Sequence, residues 1–147
     1  MFSRNVDGAL TESRSRADNA AVVAELYQMI SGHQADGVRS HIREHFADDA
    51  RLTLPAALPY GGTLDGKQVL ASVFAASASP GAAVGPVNLV LLSLVADGRF
   101  VVAEVQFDWA GGSNAGRQSR AIEKWTFTPD GLVEAVDAYY LDPGAAR

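Results

Sequence analysis

The chain has 147 residues, of which 20% are charged and 48% hydrophobic, and these values are those of one ordinary globular domain with a sizeable core. A net charge of -5 argues against nucleic acid as a partner, because phosphate binding needs a clustered excess of Lys and Arg. The absence of cysteine excludes disulfides, thiolate metal ligands and cysteine nucleophiles. Without a signal-peptide pattern or an apolar run near the roughly 20 residues of a membrane helix, we expect a cytoplasmic protein with no membrane partner.

The first predicted element is an amphipathic helix. Residues 1–14 are polar and without period, so we expect a loose arm there and another short tail at residues 143–147. A capping-box pattern at residues 15–18 starts the helix, and Ser31-Gly32 ends it. Tyr27 lies on its apolar stripe.

Two more helices are predicted before the sheet begins. Their apolar residues recur three and four positions apart, which is the spacing of one helix face. The elements predicted here are, in order, a helix from Asp36 to Phe46 that Asp48-Asp49 ends, a short strand at 51–54, a loop at 55–62, and a helix that Asp65 caps and that stops at Ser79-Pro80-Gly81.

From Pro86 to Tyr140 the pattern changes to a period of two and predicts four consecutive antiparallel strands. The run from Val87 to Ala96 is interpreted as a buried strand, and Asp97-Gly98 predicts a two-residue hairpin. In the next strand, one face carries Ala103, Val105, Phe107 and Trp109, and the other carries Glu104, Gln106 and Asp108. Three helices followed by this meander predict an α+β domain over residues 15–142.

Glu123 is the most informative residue of the predicted sheet. It stands between apolar neighbours in the segment Ala121-Ile122-Glu123-Lys124-Trp125. A carboxylate on the apolar face of a strand costs free energy unless it is paired, protonated or hydrated. Two interpretations stay open: a neutral acid with a raised pKa, or a carboxylate that is paired with a residue such as Arg120 or hydrated at a pocket mouth.

An ordered set of short motifs resembles the SnoaL-like and ketosteroid isomerase-like branch of the nuclear transport factor 2-like superfamily. The motifs are Phe46-Ala47-Asp48-Asp49-Ala50, then Leu58-Pro59-Tyr60-Gly61-Gly62, then Trp125-Thr126-Phe127. The resemblance implies a cone-shaped barrel in which a curved, mostly antiparallel sheet wraps around three N-terminal helices. It also implies a deep apolar pocket and a homodimer.

Comparison with ketosteroid isomerase implies that this sequence has an acid at one of the two catalytic carboxyl positions and no base at the other. The position of the base aspartate falls on Leu54, which cannot take a proton, and the position of the protonated aspartate falls on Glu123. Tyr27 is a counterpart of the catalytic tyrosine, although the helix lengths differ. The familiar isomerase mechanism is therefore disfavoured.

Limonene epoxide hydrolase, another member of the superfamily, uses an Asp-Arg-Asp relay whose last member sits on the final strand. That position falls on Ala138 in this sequence. Asp137 is one residue away and is expected to point to the other face of the sheet.

The candidate site residues follow from these arguments. Glu123 is the candidate acid, Tyr27 or Tyr140 is a candidate donor to a substrate oxygen, and His45 is a candidate second proton carrier because its ordinary pKa lies near neutrality. Each of these side chains also has a purely structural interpretation as part of the core. The residues expected to line the pocket are Phe46, Leu54, Tyr60, Phe74, Val105, Phe107, Trp109, Trp125, Val136 and Ala138.

A metal site is disfavoured, although His41 and His45 have the spacing of two ligands on one helix face. No third ligand stands at a supporting position, and we expect no cofactor. The leading hypothesis is cofactor-free acid/base chemistry, such as isomerisation, cyclisation, dehydration or epoxide opening, on a small polyketide-, steroid- or terpenoid-like molecule. The alternative is a non-catalytic module that binds a hydrophobic ligand or associates as a dimer.

Overall fold

The computed structural model describes residues 18–79, 81–82 and 85–142. The predicted arm at 1–14, the capping pattern at 15–17, Pro80 and the tail at 143–147 lie outside these ranges. Within the described residues the elements are α1 (18–31), α2 (Ala35–His45), β1 (Phe46–Leu54), β2 (Gly62–Asp65), α3 (Lys67–Ser77), β3 (Gly85–Asp97), β4 (Phe100–Ala110), β5 (Gln118–Phe127) and β6 (Val133–Tyr140).

The six strands form one mixed sheet in the order β2-β1-β6-β5-β4-β3. Neighbouring strands are antiparallel except for β1 and β6, which are parallel. The helices pack on one face, where side chains of α1 and α3 contact the sheet. The α+β prediction is confirmed, and the sheet is open, with β2 and β3 at its two edges.

Strand β4 shows how the sequence pattern produces the buried face of the sheet. Its residues alternate strictly, so that Ala103, Val105, Phe107 and Trp109 are all buried, as predicted, while the residues between them are half-buried. Alternation follows from the pleat of a strand, which sends successive side chains to opposite faces. The predicted core face of this strand is therefore correct.

The prediction that the run from Val87 to Ala96 is a buried strand is wrong. It forms β3, an edge strand in which Leu89 is buried but Val90, Leu92 and Val95 are exposed. Register shifts against β4 interrupt its pairing twice, and irregular edges of this kind hinder pairing with further strands. The apolar composition of the run reflects the exposed outer face of the sheet as well as the core.

Local predictions around β1 and β2 also need correction. Asp48 and Asp49 do not follow a helix but lie exposed within β1, where the pairing with β6 shifts register. The short strand β2, which the sequence did not predict, begins at the last residue of the predicted loop, because residues 62–65 pair with the end of β1. Asp65 is part of β2, and Gly66 precedes α3 without any side-chain cap.

Candidate functional site around Glu123

Glu123 lies on the inner face of β5, between two alanines. Its register partners are Ala103 on β4 and Ala138 on β6. The side chain is buried, with 7% of its surface exposed. Alanine extends one carbon from the backbone, so neither neighbour in this row fills the space beside the carboxyl group.

The Glu123 carboxyl group has no charged partner among the described residues. Its Oε1 atom is buried without a hydrogen bond to any residue that the structure describes. Arg120 is engaged on the outer face, where its Nη1 lies 3.3 Å from Oε2 of Glu104. Burial raises the pKa of Glu123 from its ordinary value to about 7, because removal from water penalises the charged form. A buried and unpaired carboxyl group of this kind can exchange a proton near neutral pH.

One tyrosine, Tyr140, stands next to this carboxyl group, and a second, Tyr60, stands next to Tyr140. Burial raises the pKa of Tyr140 far above its ordinary value, and the nearby Tyr60 and the charge of Glu123 raise it further. Burial also raises the pKa of Tyr60 to about 12, although the neighbouring Tyr140 hydroxyl opposes this shift. The two phenol groups are close enough to interact, but the Tyr60 hydroxyl makes no hydrogen bond to the described residues. Both phenols therefore stay protonated and are available as donors.

The interior has two aromatic clusters, one on each side of Glu123 along the strands. We call the first the open cluster, which consists of Phe107, Trp109 and Tyr140, with ring centroids 4.9–5.6 Å apart. Trp109 also borders a surface depression beside Arg117, and its Nε1 is buried without a partner in the described residues.

We call the second the sealed cluster, which consists of Tyr27, Phe46, Phe74 and Trp125. Trp125 is at its centre, with its ring centroid 5.8–6.1 Å from those of the other three. Trp125 is 0% exposed, and its Nε1 and the Tyr27 hydroxyl have no partner within the described ranges. An indole N–H is a donor only, so a buried one without an acceptor costs about 1–3 kcal/mol.

Residual exposure changes along the interior and indicates which end is accessible. Val101, Trp125 and Val136, which form one row of paired residues, are all 0% exposed. In the row of Glu123 and beyond it, several side chains keep a few per cent of exposure although they face the core. These are Leu54, Ala121, Glu123 and Ala138, although Ala103 in the row of Glu123 is 0% exposed.

The ten residues that the sequence predicts as pocket lining all belong to the core or pack against it. Their distance from Glu123 differs. Trp125 and Val136 belong to the fully buried row that also contains Val101, which we call the closed row, whereas Leu54 and Ala138 border Glu123. Leu54 follows Thr53, the register partner of Asp137, and so lies at the level of Ala138. The position of the missing base is therefore in the row of Glu123, and it is apolar.

The histidines lie apart from Glu123. His45 borders a separate surface depression with Glu25 and Asp130, and its ring packs on His41. The Nε2 atom of His41 lies 2.8 Å from the carbonyl oxygen of Val22, and this bond occupies one of its two nitrogens. The described residues contain no group of three side chains suited to a metal ion. The structure therefore does not bring His45 into the candidate site.

Sequence reasoning missed one contributor to the site, Ala103, and one buried anchor of the loop that carries Tyr60, Leu58. Ala103 was expected on the inner face, but its importance depends on its register opposite Glu123, which no local pattern reveals. Leu58 was expected in a loop, where buried anchors have no periodic signal. Asp137, which pairs with Lys124, is half-buried and lies between the buried Val136 and Ala138, so strand alternation turns it away from the core.

Comparison with known proteins identifies the fold. No protein-family model and no curated protein matches the chain. Solved structures do match: Bal32a from a soil-derived mobile gene cassette is 17% identical with a TM-score of 0.71, covering 89% of this chain and 95% of that one. A candidate SnoaL-like polyketide cyclase from Jannaschia sp. CCS1 is 18% identical with a TM-score of 0.66, covering 90% and 94% of the two chains.

A third match is a candidate ketosteroid isomerase from Kribbella flavida DSM 17836, 17% identical with a TM-score of 0.61, covering 85% of this chain and 78% of that one. None of the helices in the described part of the chain is long and apolar enough to cross a membrane. The chain thus has the fold of these solved structures, which other matching structures described as nuclear transport factor 2-like proteins share.

Proposed function

We propose that this protein is a cofactor-free enzyme that performs acid/base chemistry on a small apolar molecule bearing oxygen, with Glu123 as the acid. The observation that carries the proposal is the buried, unpaired carboxyl group of Glu123, placed between two alanines. Its register neighbours are alanines and Leu54 lies at the same level, and apolar neighbours of this kind suit a polyketide-, steroid- or terpenoid-like ligand. The residual exposure of the neighbouring side chains supports an entry path to this point.

The proton chemistry follows from the pKa of Glu123. A group with a pKa of about 7 is divided between its two protonation states at neutral pH, so it can deliver a proton and take one back within a catalytic cycle. In the proposed step, the neutral carboxyl group gives its proton to a carbonyl, hydroxyl or epoxide oxygen. The Tyr140 phenol, which remains neutral, donates a hydrogen bond to the same oxygen.

Leu54 limits which reactions suit the site. Ketosteroid isomerisation by the familiar route needs a separate carboxylate base, and the side chain at this level is apolar and buried. Reactions in which one group both gives and receives the proton fit better, such as dehydration, cyclisation or epoxide opening. We therefore do not propose the familiar isomerase mechanism.

The decisive experiment is Glu123→Gln, which keeps the shape of the side chain and removes its titration. A thermal-shift screen against apolar oxygenated compounds first supplies a ligand, because binding to the folded state raises the melting temperature. We expect kcat/KM for a compound that turns over to fall by about 10²–10⁴-fold, the range for loss of a general acid. Glu104→Gln, which changes an exposed ion pair with Arg120, is the matched control. Turnover that survives in Glu123→Gln would refute the assignment.

The second candidate function is a non-catalytic module that binds a hydrophobic ligand in the same place. The apolar side chain of Leu54 favours it, because the usual base is missing. Mass spectrometry of the compound recovered after long incubation separates the two functions. A chemically unchanged ligand, bound equally by wild type and Glu123→Gln, would favour the binding module.

We also propose that the chain forms a homodimer through the outer face of its sheet. Ile122 and Tyr139 are register partners on that face and are 41% and 61% exposed, and Leu141 is exposed beside them. Exposed apolar side chains that cluster in this way are typical of association surfaces. Sedimentation equilibrium should find a dimer that Ile122→Glu dissociates; a monomeric wild type at the highest soluble concentration would exclude it.

A further inference from the structure

Tyr60 occupies an unusual position relative to the open sheet. It belongs to the loop between β1 and β2, and these two strands form one edge of the sheet. Its hydroxyl nevertheless lies beside Gly85, the first residue of β3, at the opposite edge: a Cβ atom on Gly85 would stand 3.7 Å from the Tyr60 oxygen. The Tyr60 side chain therefore reaches across the open end of the sheet from one edge to the other.

The loop that carries Tyr60 is tightly folded. The backbone N–H of Leu58 donates to the carbonyl oxygen of Pro55, and the N–H of Gly61 donates to that of Leu58. A Cβ atom on Gly61 would lie 2.0 Å from the Pro55 oxygen, so this turn requires glycine. Leu58, which is 4% exposed, anchors the loop in the core. Because the backbone is fixed, Tyr60 can move by side-chain rotation without unfolding the loop.

Tyr60 is connected to the candidate site through Tyr140. Tyr60 interacts with Tyr140, and Tyr140 interacts with Glu123, so the three groups form a series that leads from the loop to the acid. The side chains that keep residual exposure, including Leu54 and Ala138, lie on the same side of the closed row of Trp125. A ligand that approaches Glu123 from the accessible end consequently meets Tyr60.

We propose that Tyr60 is a gate residue, whose ring closes the mouth above Glu123 and must rotate away to admit a ligand. The inference rests on the proposed function for the location of the site, and it adds control of access and of ligand size. Tyr60 touches the entering molecule and takes no part in proton transfer.

The unsatisfied hydroxyl of Tyr60 favours such a movement. Its oxygen is buried and makes no hydrogen bond to the described residues. When the ring rotates outward, the hydroxyl gains water as a partner, and this gain offsets the loss of the apolar contacts of the ring. The hydroxyl's gain of water therefore lowers the free-energy cost of opening.

The test measures entry of a neutral apolar dye, N-phenyl-1-naphthylamine, which fluoresces in apolar surroundings, by stopped-flow mixing with the full chain. We expect Tyr60→Ala to raise the association rate constant by about tenfold or more, because required conformational changes slow association. Tyr60→Phe keeps the ring but loses the hydroxyl that gains water on opening, so its rate constant should equal that of wild type or fall below it. Val69→Ala, which shortens an exposed side chain on α3, is the control and should also match wild type.

Equal rates in wild type and Tyr60→Ala would overturn the gate, and so would the absence of dye binding in both proteins. Entry into Tyr60→Phe as fast as into Tyr60→Ala would likewise overturn it, because the barrier would then lie in hydroxyl contacts.

If Tyr60→Ala fails to fold by circular dichroism, Tyr60→Leu keeps an apolar anchor that is too short to reach Gly85. Adding Ala138→Leu to the fast variant should abolish dye uptake, since it fills the space beside Glu123; dye that still enters at the same rate is bound elsewhere and overturns the gate. Dye entry is independent of turnover, so the gate and the enzymatic function can fail separately.

Discussion

The open and sealed clusters are built from the same kinds of residue, yet they differ in their polar neighbours and in the exposure of one member, Tyr140, which is half-buried. Trp125 in the sealed cluster is 0% exposed and is surrounded by three other aromatic rings. Trp109 in the open cluster borders a surface depression, and its partner Tyr140 neighbours Glu123 and Tyr60. The difference shows that aromatic content alone does not distinguish a core from a binding site; position along the strand register does.

The largest expected effect is a difference in the loss of unfolding free energy between variants of the two tryptophans. Trp125→Ala should lower the free energy of unfolding by about 3–5 kcal/mol, the usual cost of removing a large buried aromatic side chain. Trp109→Ala should cost clearly less, because water can enter the space beside the surface depression. Urea denaturation of both variants measures the difference, and equal losses would contradict the division into a sealed and an open end.

The next effect is a pH dependence of stability that Glu123 controls. Its pKa is about 7 in the folded protein, against an ordinary value of 4.5, so the folded state holds this proton more tightly than the unfolded chain. Stability is therefore greatest below pH 4.5 as far as this group is concerned, falls as the pH rises toward 7, and levels off above it. The loss amounts to about 3 kcal/mol across that window.

Denaturation of wild type and Glu123→Gln at several pH values isolates this contribution. The difference in unfolding free energy between the two proteins should change across the window from pH 4.5 to 7 and stay constant outside it. Glu104→Gln removes a half-exposed carboxylate, and the unfolding free energy of this variant should follow that of wild type at every pH in the series. A constant difference between wild type and Glu123→Gln would show that Glu123 is ionised normally.

The smallest effect concerns the hydroxyl of Tyr27 in the sealed cluster. It is buried without a partner in the described structure, so Tyr27→Phe should leave stability unchanged or raise it by about 1 kcal/mol. Thermal unfolding measures this directly. A loss of several kcal/mol would mean that the hydroxyl has a hydrogen-bonding role in the sealed cluster.

The sequence is informative where a single period governs an element. Glu123 and the buried face of β4 were predicted because alternation in a central strand depends mainly on local pattern. The edge strand β3 was misjudged because apolar residues there also populate the exposed outer face. Asp48 and Asp49 suggested a turn, but pairing of β1 with β6, which lies far along the chain, extends the strand through them.

The candidate site was harder to predict than the fold because it depends on contacts between distant segments. The acid and most lining residues follow from local pattern and from the resemblance. The approach of Tyr60 to Gly85 joins a loop at one edge of the sheet to a strand at the other, and no periodicity encodes it. The placement of His45 away from Glu123 likewise depends on how α2 is oriented on the sheet.

The position of β6 has a consequence for the order in which the chain can fold. It is the last strand along the described chain, but it lies in the interior of the sheet, between β1 and β5. During synthesis, β1 and β2 have no place in the sheet until β6 has emerged, so the two halves remain separate and their contacts are highly non-local. We expect a chain that ends at Gly131 to be captured by chaperones or to aggregate, because both sides of the gap expose unpaired backbone.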